Sequence, residues 1–373
     1  MTHPDAPSAY RLPELPPTVD LETVEVLKAL ARANRALAEL KGAAQSIPNQ
    51  GILINTLALQ EAKASSEIEN IVTTQDELFQ IEVFPEGPGS PAAKEVALYR
   101  DALKLGLNEM RSHSGLITNR AVIAMFRLLK GRSDGFRTLP GTELRNDRTG
   151  ETIYVPPRPE EIERLMAALE HFINDDEASH LDPLIKMAIV HHQFESIHPF
   201  PDGNGRIGRI LNVLYLTRTG LLDIPILYLS RHITRTKNDY YRLLQAVRDS
   251  GGAPEDWQAW TLYILEAVAE TSRTTLQLVI GLRGLMADYK QRLRGDLPKI
   301  YSQDLLNNLF RHPYTRIEYV MTDLHVSRPT ATKYLEQLAE KGLVTKHPAG
   351  RNNYYINGPL VALSLSVSEN GKQ

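Results

Sequence analysis

The chain contains no cysteine among its 373 residues. That excludes disulfides, thiolate nucleophiles and cysteine-based zinc sites, and it fits a reducing, cytoplasmic setting. No uninterrupted apolar run approaches the roughly 20 residues of a membrane-spanning helix. The first residues have neither a basic segment nor an apolar one, so no export signal is expected. Charge of one sign is also missing: the formal net charge of -3 exerts no global pull toward nucleic acid or anionic lipid. No repeat with a period of 20 to 50 residues is visible, which sets solenoids aside. No Walker A sequence occurs. The length exceeds the size at which single cores stop growing, and therefore favours more than one domain.

What is present is mostly helical patterning. A proline-rich arm (Pro4, Pro7, Pro13, Pro16, Pro17) gives way near Asp20 to Leu21, Val24, Leu27, Leu30 and Ala31, and a second run extends from Leu53 to Ile71. Pro85-Glu86-Gly87-Pro88-Gly89-Ser90-Pro91 cannot continue a helix and marks a loop. Helical spacing returns from Ala92 to Leu129 and again up to about residue 292. Between those stretches, Thr142–Arg145 and Glu151–Val155 alternate polar and apolar residues around Asn146-Asp147-Arg148-Thr149-Gly150, the composition of a hairpin turn.

The tail reads as a separate unit. Ser302 to Arg311, Arg316 to Leu324 and Ser327 to Lys341 are three short helical patterns, with Ser327 as an N-cap and Gly342 as a stop. Leu343–Thr345 and Asn353–Ile356 read as two strands around a Pro-Ala-Gly-Arg turn. This pattern resembles a winged helix-turn-helix, with Arg328, Thr330, Thr332 and Lys333 on its recognition helix. DNA binding and protein docking are both open, since seven Lys/Arg against five Asp/Glu from Ser302 to Ile356 is a thin footprint for a DNA binder. The division expected is an arm with a helical region over 1–90, a core over 91–295 and the winged helix over 296–373.

The densest chemistry lies in His198-Pro-Phe-Pro-Asp-Gly-Asn-Gly-Arg-Ile-Gly-Arg209. A helical apolar pattern (Ile207, Ile210, Leu211, Leu214, Tyr215) follows Asp202-Gly203-Asn204-Gly205 directly. Free backbone N–H groups and the positive end of a helix dipole there attract an anion such as phosphate. His198 is suited to accept a proton near neutral pH, and Asp202 is a hard oxygen ligand for Mg²⁺ or an N-cap. Arg206 and Arg209, three apart on the new helix, can hold phosphate oxygens. The embedded G-x-G-x-x-G lacks the preceding buried strand of a dinucleotide fingerprint. His191, His192, Glu195 and His198 match neither zinc-hydrolase spacing.

These twelve residues satisfy every fixed position of the motif His-x-Phe-x-Asp/Glu-Gly-Asn-Gly-Arg-x-x-Arg, and the chain thereby resembles the Fic family over roughly residues 50 to 270. Ser65-Ser66-Glu67-Ile68-Glu69-Asn70 is similar to the motif of members with an upstream inhibitory helix. The resemblance implies a mainly α fold, with a Fic-type helical core, a small β-hairpin flap and the winged helix. It implies a protein adenylyltransferase that uses ATP and Mg²⁺ to place AMP on Ser, Thr or Tyr hydroxyls of target proteins and of itself. In that reading His198 is the base, and Asp202, Gly203, Asn204, Gly205, Arg206, Ile207, Gly208 and Arg209 form the nucleotide cradle, with Asp202 holding the metal. Tyr240 lies by the adenine, although Arg248 stands near where an asparagine is expected. The hairpin over 141–155 is the flap that pairs with the target chain. Ser65, Glu69 and Asn70 belong to the inhibitory helix, with Glu69 pairing to Arg209; Glu69 as a water-orienting group for AMP removal is a related option. A DNA-binding regulator with little catalysis, a Fic-fold transferase of another phosphate-containing group, and a homodimer stay open.

Overall fold

The computed structural model describes residues 12–74, 77–79, 81, 90–146, 149–349 and 352–369. The proline–glycine loop at 85–91, the hairpin-turn residues 147–148 and the wing-turn residues 350–351 fall wholly or largely outside them. The described residues form two compact units, those within Met1–Ala38, Ala64–Ile71 and Leu98–Thr271 in one, and those within Glu39–Lys63, Val72–Ala97 and Ser272–Gln373 in the other. Four of the five unit boundaries fall inside unbroken helices, α1 (Val24–Ala44), α2 (Gln50–Ile68), α3 (Pro91–Ser112) and the 43-residue α10 (Pro254–Asp296), and the fifth lies between Ile71 and Val72, just after α2.

In the first unit α4 (Asn119–Lys130), the strands β1 (Leu144–Arg145) and β2 (Thr152–Tyr154), α5 (Pro159–Asn174), α6 (Pro183–Ile197), α7 (Asn204–Arg218), α8 (Ser230–Arg235) and α9 (Lys237–Asp249) follow in order. Every residue of α6 from Leu184 to Ile197 is buried. A helix buried all round belongs at the centre of a bundle, and α6, which carries polar side chains such as His191, His192 and Glu195 as well as apolar ones, pairs there with α7, itself buried from Arg206 to Leu216. Pro183 at the first helical position and the Asp182 carboxylate, which accepts from the Leu184 N–H at 2.8 Å, fix where α6 starts. Trp257 and Trp260 of α10 pack on His192 and His191, and the Trp260 indole donates to the Ala188 carbonyl at 2.9 Å. The expected hairpin forms: β1 and β2 are antiparallel, with Leu144 opposite Tyr154.

In the second unit α11 (Gln303–Arg311), β3 (Tyr314–Arg316), α12 (Ile317–Leu324), α13 (Arg328–Glu340), β4 (Thr345–Ala349) and β5 (Asn352–Ile356) follow in the order of a winged helix. The sheet has three strands, β3-β5-β4, all antiparallel, and α14 (Gly358–Glu369) closes the chain. Two features differ from the sequence reading. Arg316 is extended (φ -142°, ψ 167°) and ends β3, so the helix begins one residue later. A three-residue strand lacks the alternation that would announce it. The final helix, which has no counterpart in the sequence reading, begins at Gly358-Pro359, where the Asn357 side chain caps it by accepting from the Leu360 N–H at 3.2 Å.

Candidate active site

The site is built where α6 turns into α7. His198 caps α6 in the left-handed conformation (φ 50°, ψ 59°), with its N–H donating to the Phe194 carbonyl. Few side chains accept that conformation, and a histidine held there costs about 1–3 kcal/mol of backbone strain that the surroundings must offset. Arg137 supplies part of the hold: its backbone N–H donates to Pro199, its Nε to the His198 carbonyl at 2.9 Å, and its Nη2 to Pro157. Phe200 stacks on Phe126 with ring centres 4.1 Å apart, anchoring the loop as its apolar character suggests.

The loop then closes on itself. The Asn204 side chain accepts from the Phe200 N–H and donates to the Phe200 carbonyl, both at 2.8 Å. That amide thus shapes the cradle. Gly203 caps α7 at φ 77°, where a side chain would be strained. A Cβ on Gly205 would lie 2.9 Å from both Arg209 Nη1 and Glu69 Oε1, so the glycine leaves room for the contact between them. Ile207 is fully buried and Gly208 packs under Glu195 and Phe194; both support the helix from behind.

Ser65, Glu69 and Asn70, more than 120 residues upstream, come to the same place. Arg209 Nε donates to Ser65 Oγ at 2.7 Å and its Nη2 to the Ser65 carbonyl at 2.9 Å and to Glu69 Oε1 at 3.0 Å. The other oxygen, Glu69 Oε2, pairs with Arg206 Nε at 2.7 Å. One carboxylate thus bridges both arginines of the motif, each almost fully buried. Asn70 ends the segment in the left-handed region (φ 62°) and accepts from Lys237 Nζ at 3.3 Å. Burial opposes the charge on Arg209, yet the Glu69 carboxylate keeps it held above its ordinary range.

Three family models match in turn: Fic/DOC family N-terminal over 27–108, Fic/DOC family over 117–216, and the C-terminal domain of protein adenylyltransferase SoFic-like proteins over 285–360. The chain belongs to the Fic/DOC family. A protein adenylyltransferase Fic from Drosophila mojavensis is 26% identical over 262 residues, covering 69% of this chain and 46% of the relative. The chain spans about half the length of the curated relatives it matches. Among solved structures, a Fic family protein from Desulfovibrio desulfuricans has a similar fold (TM-score 0.53, 20% identity, 90% of this chain and 97% of that one). So does a Fic domain signalling protein from Bacteroides thetaiotaomicron (TM-score 0.55, 19% identity, 67% and 97%).

The electrostatics of this Fic protein set its titratable groups far apart. Burial, then the charges of Arg248 and Arg137, bring His198 down to about 3. His191 falls to about 3 through burial and Arg209. Its Nε2 lies 2.9 Å from the Tyr240 hydroxyl. Tyr240 is fully buried against Trp260, Tyr241 and Tyr263, so it belongs to the aromatic core beside the site. Asp202 is not the side-chain cap of α7: it is half-exposed and pairs with Lys130 Nζ at 2.7 Å, and this contact, against the effect of burial, holds it below the usual carboxylate range. Sequence reading missed Lys130, Arg137 and the Arg206 arm of the Glu69 bridge. The first two are isolated basic residues with no motif around them, and spacing alone does not show which arginine a distant carboxylate reaches.

Glu195 was weighed only as a metal ligand, and among the described residues no group of three or more His, Asp or Glu is placed to hold a metal ion. Its Oε1 is buried without a hydrogen-bond partner among those residues, and burial pushes the carboxyl up to about 7 against the pull of Arg209 and Arg248. A carboxyl raised in the fold contributes stability that is complete below its ordinary value of 4.5 and is lost as pH rises through about 7. Glu195→Gln should therefore melt increasingly above wild type as pH rises from about 4.5 to about 7, by on the order of a few degrees, with the difference level at higher pH. Calorimetry at several pH values checks this; a constant difference would show that Glu195 does not titrate there.

Proposed function

We propose that the protein is an adenylyltransferase that transfers AMP from ATP to a Ser, Thr or Tyr hydroxyl of target proteins and of itself, and that Glu69 holds it inactive. The observation that carries this reading is the meeting, at one helix start, of a buried histidine, a glycine-rich anion cradle and two arginines tied to one carboxylate. In the reaction the acceptor oxygen attacks the α-phosphorus, the bond from that phosphorus to the bridging oxygen breaks, and pyrophosphate leaves. His198 takes the acceptor's proton. The N–H groups at the start of α7 and the guanidinium groups of Arg206 and Arg209 stabilise the charge that develops on the phosphates.

Mg²⁺ fits what is present: one half-exposed carboxylate, Asp202, beside a phosphate cradle matches an ion that takes one or two carboxylates and completes its shell with phosphate oxygens and water. When bound it would neutralise charge on the triphosphate. Asp202 would hold it after giving up its contact with Lys130.

Glu69 occupies the guanidinium groups that a γ-phosphate needs, so an ATP in productive pose must displace it. The flap supports acceptance of a protein chain: β2 offers main-chain groups at a short hairpin whose Ile153 and Val155 are exposed. For the tail, a protein partner is favoured over duplex DNA because Arg328 at the start of α13 is paired with Glu318 at 2.9 Å and the charge excess is small.

The test is mass spectrometry of the chain and of lysate proteins after incubation with ATP and Mg²⁺. AMP adducts are the expected product; a phosphate or other adduct would overturn the choice of group. Asp202→Ala should lose both Mg²⁺-dependent ATP binding and transfer, by about tenfold or more, as removal of a metal-holding carboxylate does. Transfer that is indifferent to EDTA would deny Asp202 the metal.

A further inference from the structure

Arg248 is buried in the last turn of α9 and has no part in the transfer scheme above. We propose that Arg248 is a positioning residue that, through Ser196 and Tyr154, fixes the flap strand β2 against the turn carrying His198, and so sets where an acceptor hydroxyl must lie. The proposal rests on the transfer reading of the site.

Three contacts make the link. Arg248 Nε donates to Ser196 Oγ at 2.9 Å, two residues before His198. Its guanidinium carbon lies 4.0 Å from the centre of the Tyr154 ring, at the end of β2. The Tyr154 hydroxyl in turn donates to the Ser196 carbonyl at 2.7 Å. Arginine, strand tyrosine and helix end thus form a closed loop of contacts in a desolvated place, where a stacked guanidinium and a charge-assisted hydrogen bond count for more than in water. Gln245, one turn back on α9, donates from Nε2 to the Ile153 carbonyl at 3.2 Å and accepts from Arg248 Nη1 at 3.3 Å. The same helix face therefore holds both the backbone and the side chain of β2.

Two consequences separate Arg248 from a mere filler. A strand that registers an acceptor chain by main-chain hydrogen bonds must itself be held within a fraction of an ångström of the base for the hydroxyl to meet it. Arg248 also carries a charge. The charged groups that act on His198 are Arg248 and Arg137, which disfavour its protonation, and Asp202, which favours it. Lysine at position 248 keeps the charge and loses the planar fork, so it separates the two effects.

The experiment uses the full chain with Glu69→Gly as parent, and adds Arg248→Lys or Arg248→Ala. Backbone amide exchange of the peptide containing Ile153 to Val155 should quicken by about tenfold in both variants, as loss of one charge-assisted bond predicts. The consumed ATP should be redistributed: the ratio of protein-bound AMP to free AMP, in which water was the acceptor, should fall by about tenfold. The acid limb of ATP consumption should move toward higher pH in the alanine variant and stay in place in the lysine variant. Parental exchange and parental product ratio in the lysine variant would overturn the proposal, and that variant answers the question even if alanine does not fold. If the parent consumes no ATP, the transfer reading fails by itself, while unchanged exchange at β2 would still sink the role of Arg248.

Discussion

Glu69→Gly should raise AMP transfer, onto the chain itself or onto a target, by at least about tenfold over wild type. Breaking a buried charge pair by removing one partner is worth several kcal/mol, and each 1.4 kcal/mol is a factor of about ten. Here one carboxylate holds two buried guanidinium groups, Arg206 at 2.7 Å and Arg209 at 3.0 Å, so its loss releases both for phosphate. The gain has a cost that is also measurable. Without nucleotide the variant should melt below wild type, because two buried cations lose their partner, and ATP should raise its melting temperature more than it raises that of wild type. Arg209→Ala should erase most of the gain when combined with Glu69→Gly, the non-additivity of two residues acting on one site. A folded, ATP-binding Glu69→Gly protein that transfers no faster than wild type would remove the lock. A gain that survives Arg209→Ala would shift the pairing to Arg206.

His198→Ala should lower transfer by about 10² to 10⁴, the usual consequence of losing a general base, with ATP affinity largely kept. The pH dependence gives a sharper check. In the nucleotide-free site His198 sits near 3, neutral over the whole working range. The arriving triphosphate adds negative charge near a ring on which Arg248 and Arg137 outweigh Asp202, and this favours protonation. The acid limb of kcat, which reports the bound complex, should therefore lie at higher pH than that of kcat/KM, which reports the free protein. Limbs at the same pH would mean that nucleotide does not act on His198, and an alanine variant of wild-type rate would end its assignment as base.

The two residues were legible to different degrees. His198 stands in a run of twelve residues whose chemistry is local: a base, a glycine turn and a helix start need only sequence neighbours to be recognised. Glu69 was legible only through its own short motif, since nothing near it in the chain shows an arginine 140 positions away. Even then the sequence offered Arg209 as the sole partner, and the second arm to Arg206 emerged from the fold. Tyr240 carries the converse lesson. Its position was read from resemblance, but its burial against His191 and Trp260 depends on where α6 and α10 lie in the bundle. The hairpin at 141–155 was visible because alternation around a turn is a two-strand property. Strand β3 was not, because three residues pair with a strand some forty positions later.

By itself the sequence determined the helical class, the glycine turn that opens α7, the place of His198 just before it, the hairpin over 141–155 and the short motif from Ser65 to Asn70. Each follows from periodicity, turn chemistry or a contiguous motif, and these act over a few residues. Tertiary structure alone decided which charges meet: Glu69 across both arginines, Lys130 on Asp202, Arg137 and Arg248 around the turn of His198. It also decided that the compact units share four helices. Side-chain pairing and packing depend on distances between elements far apart in the chain, and no local pattern encodes those distances.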